Sequence, residues 1–160
     1  MSILNAAAGE ELNPLVKPPI TQEQLRRYAD ASGDHNPIHL DEDAAHSVGL
    51  DGVIAHGMLS MAFLGQFVMQ QISDTPGAYL SQLKVRFMGM VRLGDTLTCH
   101  GIVKARSDSD EHLLPLPADN KGSRTAGNTH EFVMIECWAQ NQKGEKVTMG
   151  EAVVTIPLTL

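Results

Sequence analysis

Basic residues are scarce: the 160-residue chain carries 12 Lys and Arg against 19 Asp and Glu, a formal net charge of −7 with histidine neutral. A nucleic-acid surface needs clustered Lys and Arg to displace the counterions around phosphates, so this balance argues against a nucleic-acid partner. Cysteine is nearly absent. Cys99 and Cys137 are isolated inside apolar patterns, which predicts buried free thiols rather than a bridge, and with them a reducing cytoplasm. A secretory signal is missing too, because "MSILNAAAGEELNPL" has neither a basic stretch nor an apolar one after it. Long apolar runs are also lacking. The one uncharged stretch, "GMLSMAFLGQFVMQQIS" at residues 57–73, falls short of the ~20 apolar residues of a membrane span and holds Gln66, Gln70 and Gln71. The expectation is a soluble protein with no membrane partner. Residues 1–160 are read as one domain, long enough to bury a core without disulfide or metal staples.

What is present organises itself into a few helices followed by strands. Residues 1–19 read as irregular, broken by Pro14, Pro18 and Pro19. "ITQEQLRRYADA" then opens a helix: Thr21 and Gln24 form a capping box, Ile20 can staple Leu25, and Gly33 stops it. A short helix follows Leu40, capped by Asp41 and ended at Gly49. The run 57–73 is apolar nearly all round, the mark of a helix buried on most sides, and Gly65 in its middle predicts close approach of another backbone. "YLSQLKVRFM" alternates, with Leu83, Val85 and Phe87 on one face. "DTLTCHGIVKA", "EFVMIECWAQN" and "EKVTMGEAVVTIPL" are further strands, the last two joined by a hairpin at "QKGE". Successive strands with short turns predict an antiparallel sheet curled around the single apolar helix, an α+β architecture. Residues 106–130, polar and rich in Ser, Asp, Gly and Asn, form a long loop insertion that reads as a solvated hairpin arm or a functional loop.

Two stretches carry chemistry. "ASGDHNPIHLD", residues 31–41, places Asp34, Asn36 and His39 around Pro37. Gly33 and Pro37 make this a turn, so the carboxylate of Asp34 and the imidazole of His39 can converge on one water as a general acid–base pair. Asn36 does not titrate and suits positioning. The plain alternative is an Asx turn in which Asp34 and Asn36 only satisfy backbone N–H groups. In "IAHGML", residues 54–59, His56 and Gly57 open the apolar helix. Helix-entry N–H groups have no internal acceptor and sit at the positive end of the dipole. Gly57 lets a ligand oxygen approach its N–H, a donor for charge growing on an acyl oxygen. The histidines at 35, 39, 46 and 56 have no cysteine nearby, and Pro37 separates His35 from His39, so no metal is expected.

"YADASGDHNPIHLDEDAA" and "VGLDGVIAHGMLSMAFLG" together resemble the MaoC-like family of (R)-specific enoyl-CoA hydratases and 3-hydroxyacyl dehydratases. The resemblance covers residues 20–105 well and the last two strands loosely. It implies the hot-dog fold, an antiparallel sheet wrapped around one long helix. It implies that Asp34 and His39 are the catalytic pair, that Asn36 supports them, that the Gly57 N–H is the oxyanion hole, and that Ser60, Met58 and His56 contact substrate. It implies an acyl-CoA or acyl-carrier-protein thioester as substrate, no cofactor, and a homodimer with the active site near the interface, a heterodimer being the alternative. Two features depart from the family pattern. Met90 stands where relatives often carry a proline after the strand phenylalanine, although "GDTL" is kept, and the 106–130 insertion is atypical. A non-catalytic acyl-thioester-binding subunit is the competing function, and the intact Asp34 and His39 count against it. A hot-dog thioesterase would carry an acidic residue on the long helix, and residues 57–73 contain none.

Overall fold

The computed structural model describes residues 3–107 and 130–158. Thr21 caps α1 (Gln22–Ser32), its hydroxyl accepting from the Gln24 N–H, and Gly33 closes it in the left-handed conformation at φ 76°. The Ile20 and Leu25 side chains are both buried in the core beneath this entry, as a staple requires. Asp41 caps α2 (Glu42–Ser47) through the Ala44 N–H. The apolar run forms α3 (Gly57–Gln71).

Five strands form one antiparallel sheet: β1 (Leu15–Val16), β2 (Tyr79–Phe87), β3 (Thr98–Ser107), β4 (His130–Gln140) and β5 (Lys146–Pro157), in the order β1-β3-β4-β5-β2. The four long strands match the sequence reading; β1 does not, because a two-residue strand is too short to show alternation. The hairpin between β4 and β5 turns at Gly144, where φ is 80°, and the Asn141 side chain gathers the N–H groups of Lys143 and Glu145.

Inward-facing residues of the sheet, including Val103, Val133, Ile135, Ala152 and Val154, bury against Leu59, Phe63, Leu64, Phe67 and Val68 of α3. Gly101 is what lets the helix approach: a Cβ there would lie 2.8 Å from the Phe67 ring and 3.0 Å from Ile135 Cγ2. Gly65, expected to admit a backbone, faces the Leu83 side chain instead, with its Cβ position 3.8 Å from Leu83 Cδ2. Cys99 and Cys137 are free and fully buried. Burial pushes both thiols up to about 12, so they stay protonated and inert at neutral pH.

The two edges of the sheet differ. The N-terminal segment covers β3: the N–H groups of Gly9, Leu12 and Lys17 donate to the carbonyls of Val103 (2.8 Å), Gly101 (2.9 Å) and Leu97 (2.8 Å). Arg106 clamps this segment, donating to the Ile3 and Ala6 carbonyls while gripping Glu131 at 2.7 and 2.8 Å. β2, at the other end, has no outer neighbour among the described residues. α3 itself is uncovered along one stripe: Met58 (52% exposed), Ala62, Gln66 and Met69 (48%) recur at helical spacing. A helix apolar nearly all round is therefore not covered all round, because the core takes only its Leu59, Phe63, Leu64, Phe67 and Val68 side. Phe87, on the apolar face of the alternation, is the last residue of the edge strand β2 and is 47% exposed. The polar stretch at 106–130 falls at residues 108–129 outside the described residues, so the expectation for it rests on sequence alone. Among the described residues no helix is long and apolar enough to cross a membrane.

Candidate active site

The turn after α1 is tied locally. The Asp34 N–H donates to Ser32 Oγ (3.2 Å), Asp34 Oδ1 accepts from the Asn36 N–H (3.2 Å), and Asn36 Oδ1 caps the short 3₁₀ turn Pro37–His39 by accepting from the Ile38 N–H (3.3 Å). The Asx-turn bonding is thus present, yet it uses only one carboxylate oxygen of Asp34. The turn also delivers His39 inward, where it is buried at 8% exposure. His39 Nδ1 lies 2.7 Å from the Ile54 carbonyl. A carbonyl cannot donate, so the proton sits on Nδ1 and Nε2 is left for chemistry. Ile54 is itself braced: its N–H reaches the Ile38 carbonyl at 3.3 Å, and the next N–H, of Ala55, reaches Val91 at 2.7 Å.

Asp34, His39 and His56 each bring a carboxylate oxygen or ring nitrogen within 4.8 Å of the others. Sequence spacing alone left that convergence open. The three form a metal-like constellation in which Nδ1 of His39 and Nε2 of His56 each donate to a backbone carbonyl, which orients both rings and leaves the opposite nitrogen of each free. The arrangement suits proton transfer.

His56 is the N-cap of α3 and is buried at 2% exposure. Its Nε2 lies 3.0 Å from the Asp34 carbonyl. The ring packs between Tyr28, at a centroid distance of 4.8 Å, and His39, at 4.0 Å and 32°. Nδ1 is buried and has no partner among the described residues. Burial lowers the imidazole's pKa from 6.5; the Asp34 carbonyl opposes this and the His39 ring adds to it. The unfolded chain therefore takes up the proton first, near pH 6.5, and the folded chain only at a lower pH. This group's share of stability is complete above that range and shrinks as pH falls through it. The titratable groups facing it are Tyr28, Asp34, His35 and His39. Denaturant titrations between about pH 7 and 5 should show a shallower acid loss for His56→Gln than for the native chain.

Gly57 begins α3, so its N–H has no acceptor within the helix. It is exposed, with the Phe87 ring 3.4–3.5 Å from where a Cβ would stand. Met58 beside it is exposed. The Ser60 hydroxyl donates to the Gly57 carbonyl (2.6 Å) and pairs with Thr148 Oγ1 (2.6 Å), so its bonds hold the first turn of α3 to β5. A cleft of about 500 Å³ opens behind this cluster, lined by Pro18, Pro19, Gln24, Tyr28 and Leu59. Tyr28 is the wall it shares with His56. The Ile54 carbonyl and Thr148 had no sequence signal, because each acts through a contact made only on folding.

An antiparallel sheet curled on one helix, with a carboxylate and an imidazole meeting at that helix's N-terminus, defines a hot-dog domain. The family model for the MaoC like domain matches residues 4–113. The chain belongs to that family. It is 37% identical over 95 residues to 3-hydroxyacyl-thioester dehydratase Z of Mycobacterium tuberculosis, covering 57% of this chain and 62% of the relative. It is 35% identical over 79 residues to the (R)-specific enoyl-CoA hydratase of Rhodospirillum rubrum, covering 49% and 54%. These matches span between half and two thirds of the relatives' own length. Among solved structures, the (R)-hydratase from A. caviae involved in PHA biosynthesis superposes with a TM-score of 0.72 at 24% identity, over 96% of this chain and 98% of that one.

Proposed function

We propose that this protein adds water to 2-enoyl thioesters, and in reverse dehydrates (R)-3-hydroxyacyl thioesters. The observation that carries the reading is the approach of the Asp34 carboxylate and the His39 imidazole within 4.8 Å, at the end of α3 where Gly57 offers a free N–H. Hydration forms a C–O bond from water to C3 and a C–H bond at C2. One member of the pair takes a proton from water while the other delivers one to C2, and charge that builds on the thioester oxygen meets the Gly57 N–H. The two groups titrate as a pair, so base and acid are assigned jointly. Asn36, which caps the turn carrying His39, holds that geometry. Met58 and Ser60 stand at the acyl end, with Met58 the one exposed to an incoming chain. Coenzyme A or an acyl carrier protein is the carrier, and no cofactor takes part. Loss of enoyl absorbance on incubation with crotonyl-CoA tests the reading. Release of free thiol instead would mean a thioesterase, and binding without turnover a non-catalytic subunit.

The assembly we propose is a homodimer. The open β2 edge and the uncovered stripe of Met58, Ala62 and Met69 are a liability that pairing with a second copy removes. Light scattering of the purified chain should give twice the monomer mass of 17.3 kDa. A monomer that dimerises only with a non-identical subunit would support a heteromer instead.

A further inference from the structure

We infer that His56 is a positioning residue that locks the acid–base turn onto the helix end bearing Gly57, rather than a substrate contact. The inference rests on the hydratase reading above and deepens it. Three parts of the site come from separate stretches: Asp34 from the turn after α1, His39 from the 3₁₀ turn, and Gly57 from the start of α3. Their relative placement decides the rate, since acid–base transfer needs reacting atoms about 3 Å apart. His56 touches all three. It precedes Gly57 in the chain, its ring lies against the His39 ring at 4.0 Å, and its Nε2 meets the backbone carbonyl of Asp34, 22 residues away, at 3.0 Å.

The direction of that bond follows from chemistry. The Asp34 carbonyl only accepts, so Nε2 carries the hydrogen. A second proton on Nδ1 would be buried with no acceptor among the described residues, and burial disfavours the charged ring. The neutral ring is then a wall that sets no cation beside the acid–base pair. At 2% exposure, behind Tyr28 and His39, His56 offers a substrate almost no surface.

Two variants separate the hydrogen bond from the packing. His56→Gln keeps an N–H donor at about the reach of Nε2; His56→Phe keeps a ring against Tyr28 and His39 but loses the donor. With crotonyl-CoA, His56→Phe should lower kcat by up to about 100-fold with KM changed less than about threefold, and His56→Gln should recover most of the loss. Phe matching the native rate, or Gln no better than Phe, overturns the inference. The ring-nitrogen NMR spectrum of the native chain decides independently, including where His56→Phe does not fold: hydrogen on Nε2 of His56 supports the lock, and hydrogen on Nδ1 overturns it. Full activity in Asp34→Asn and His39→Gln would sink the hydratase reading itself, while the NMR result would still judge the bond.

Discussion

Asp34→Asn and His39→Gln should each lower the proposed hydration of crotonyl-CoA by about 100- to 10,000-fold, the range for removing a positioned acid or base. The structure makes these substitutions informative. Asp34 Oδ1 accepts from the Asn36 N–H, and an amide oxygen can accept the same bond, so Asn keeps the turn while removing the group that exchanges a proton. At His39 the imidazole is held by its Nδ1–H on the Ile54 carbonyl, which leaves Nε2 as the exchanging nitrogen. A glutamine amide fills similar space but exchanges no proton near neutral pH. The loss belongs in kcat and kcat/KM together, because the groups act on atoms that move in the transition state. Combining the two changes should cost little more than the worse single change, since the pair works as a unit. Either single variant within about threefold of the native rate would remove the acid–base pair from the mechanism.

The second large effect concerns folding. Gly150→Ala should destabilise the protein by about 3 kcal/mol, the upper part of the usual overpacking range, and lower the melting midpoint by roughly 6–12 °C for a domain of this size. Gly150 lies in β5 opposite Val85 of β2. A Cβ there would stand 2.2 Å from the Lys84 carbonyl oxygen and 2.9 Å from Val85 Cγ1. The obstacle is main chain, which cannot swing aside as a side chain does, so the β2–β5 ladder must part locally. Because β2 is also the edge proposed for pairing, the variant should dissociate more readily at low concentration. An unchanged calorimetric midpoint for Gly150→Ala would overturn the expected clash with the β2 main chain.

Legibility of the sequence followed the range of the interaction. The caps at Thr21 and Asp41 and the stop at Gly33 were readable because each is settled within four residues. The four long strands and α3 were readable because burial imposes a period on them. The Asp34–Asn36–His39 turn was readable as a motif, and its Asx bonding is local too. Gly65 misled, since a mid-helix glycine signals close approach without naming what approaches. The exposure of Phe87 was not readable, because alternation identifies a face of a strand, not whether that strand lies at the sheet's end.

By itself, then, the amino-acid order determined the secondary elements, the antiparallel hot-dog architecture and the residue types gathered at the turn and the helix start. Only the tertiary structure decided that the N-terminal segment covers β3 and leaves β2 open. Only it set the tautomer of His39 through Ile54, tied His56 to Asp34, and joined Ser60 to Thr148, across 15, 22 and 88 residues of chain. The reason is physical. Propensity and capping act over a turn or two of backbone, whereas these bonds exist only after α3 has buried against the sheet and brought distant carbonyls and hydroxyls into reach.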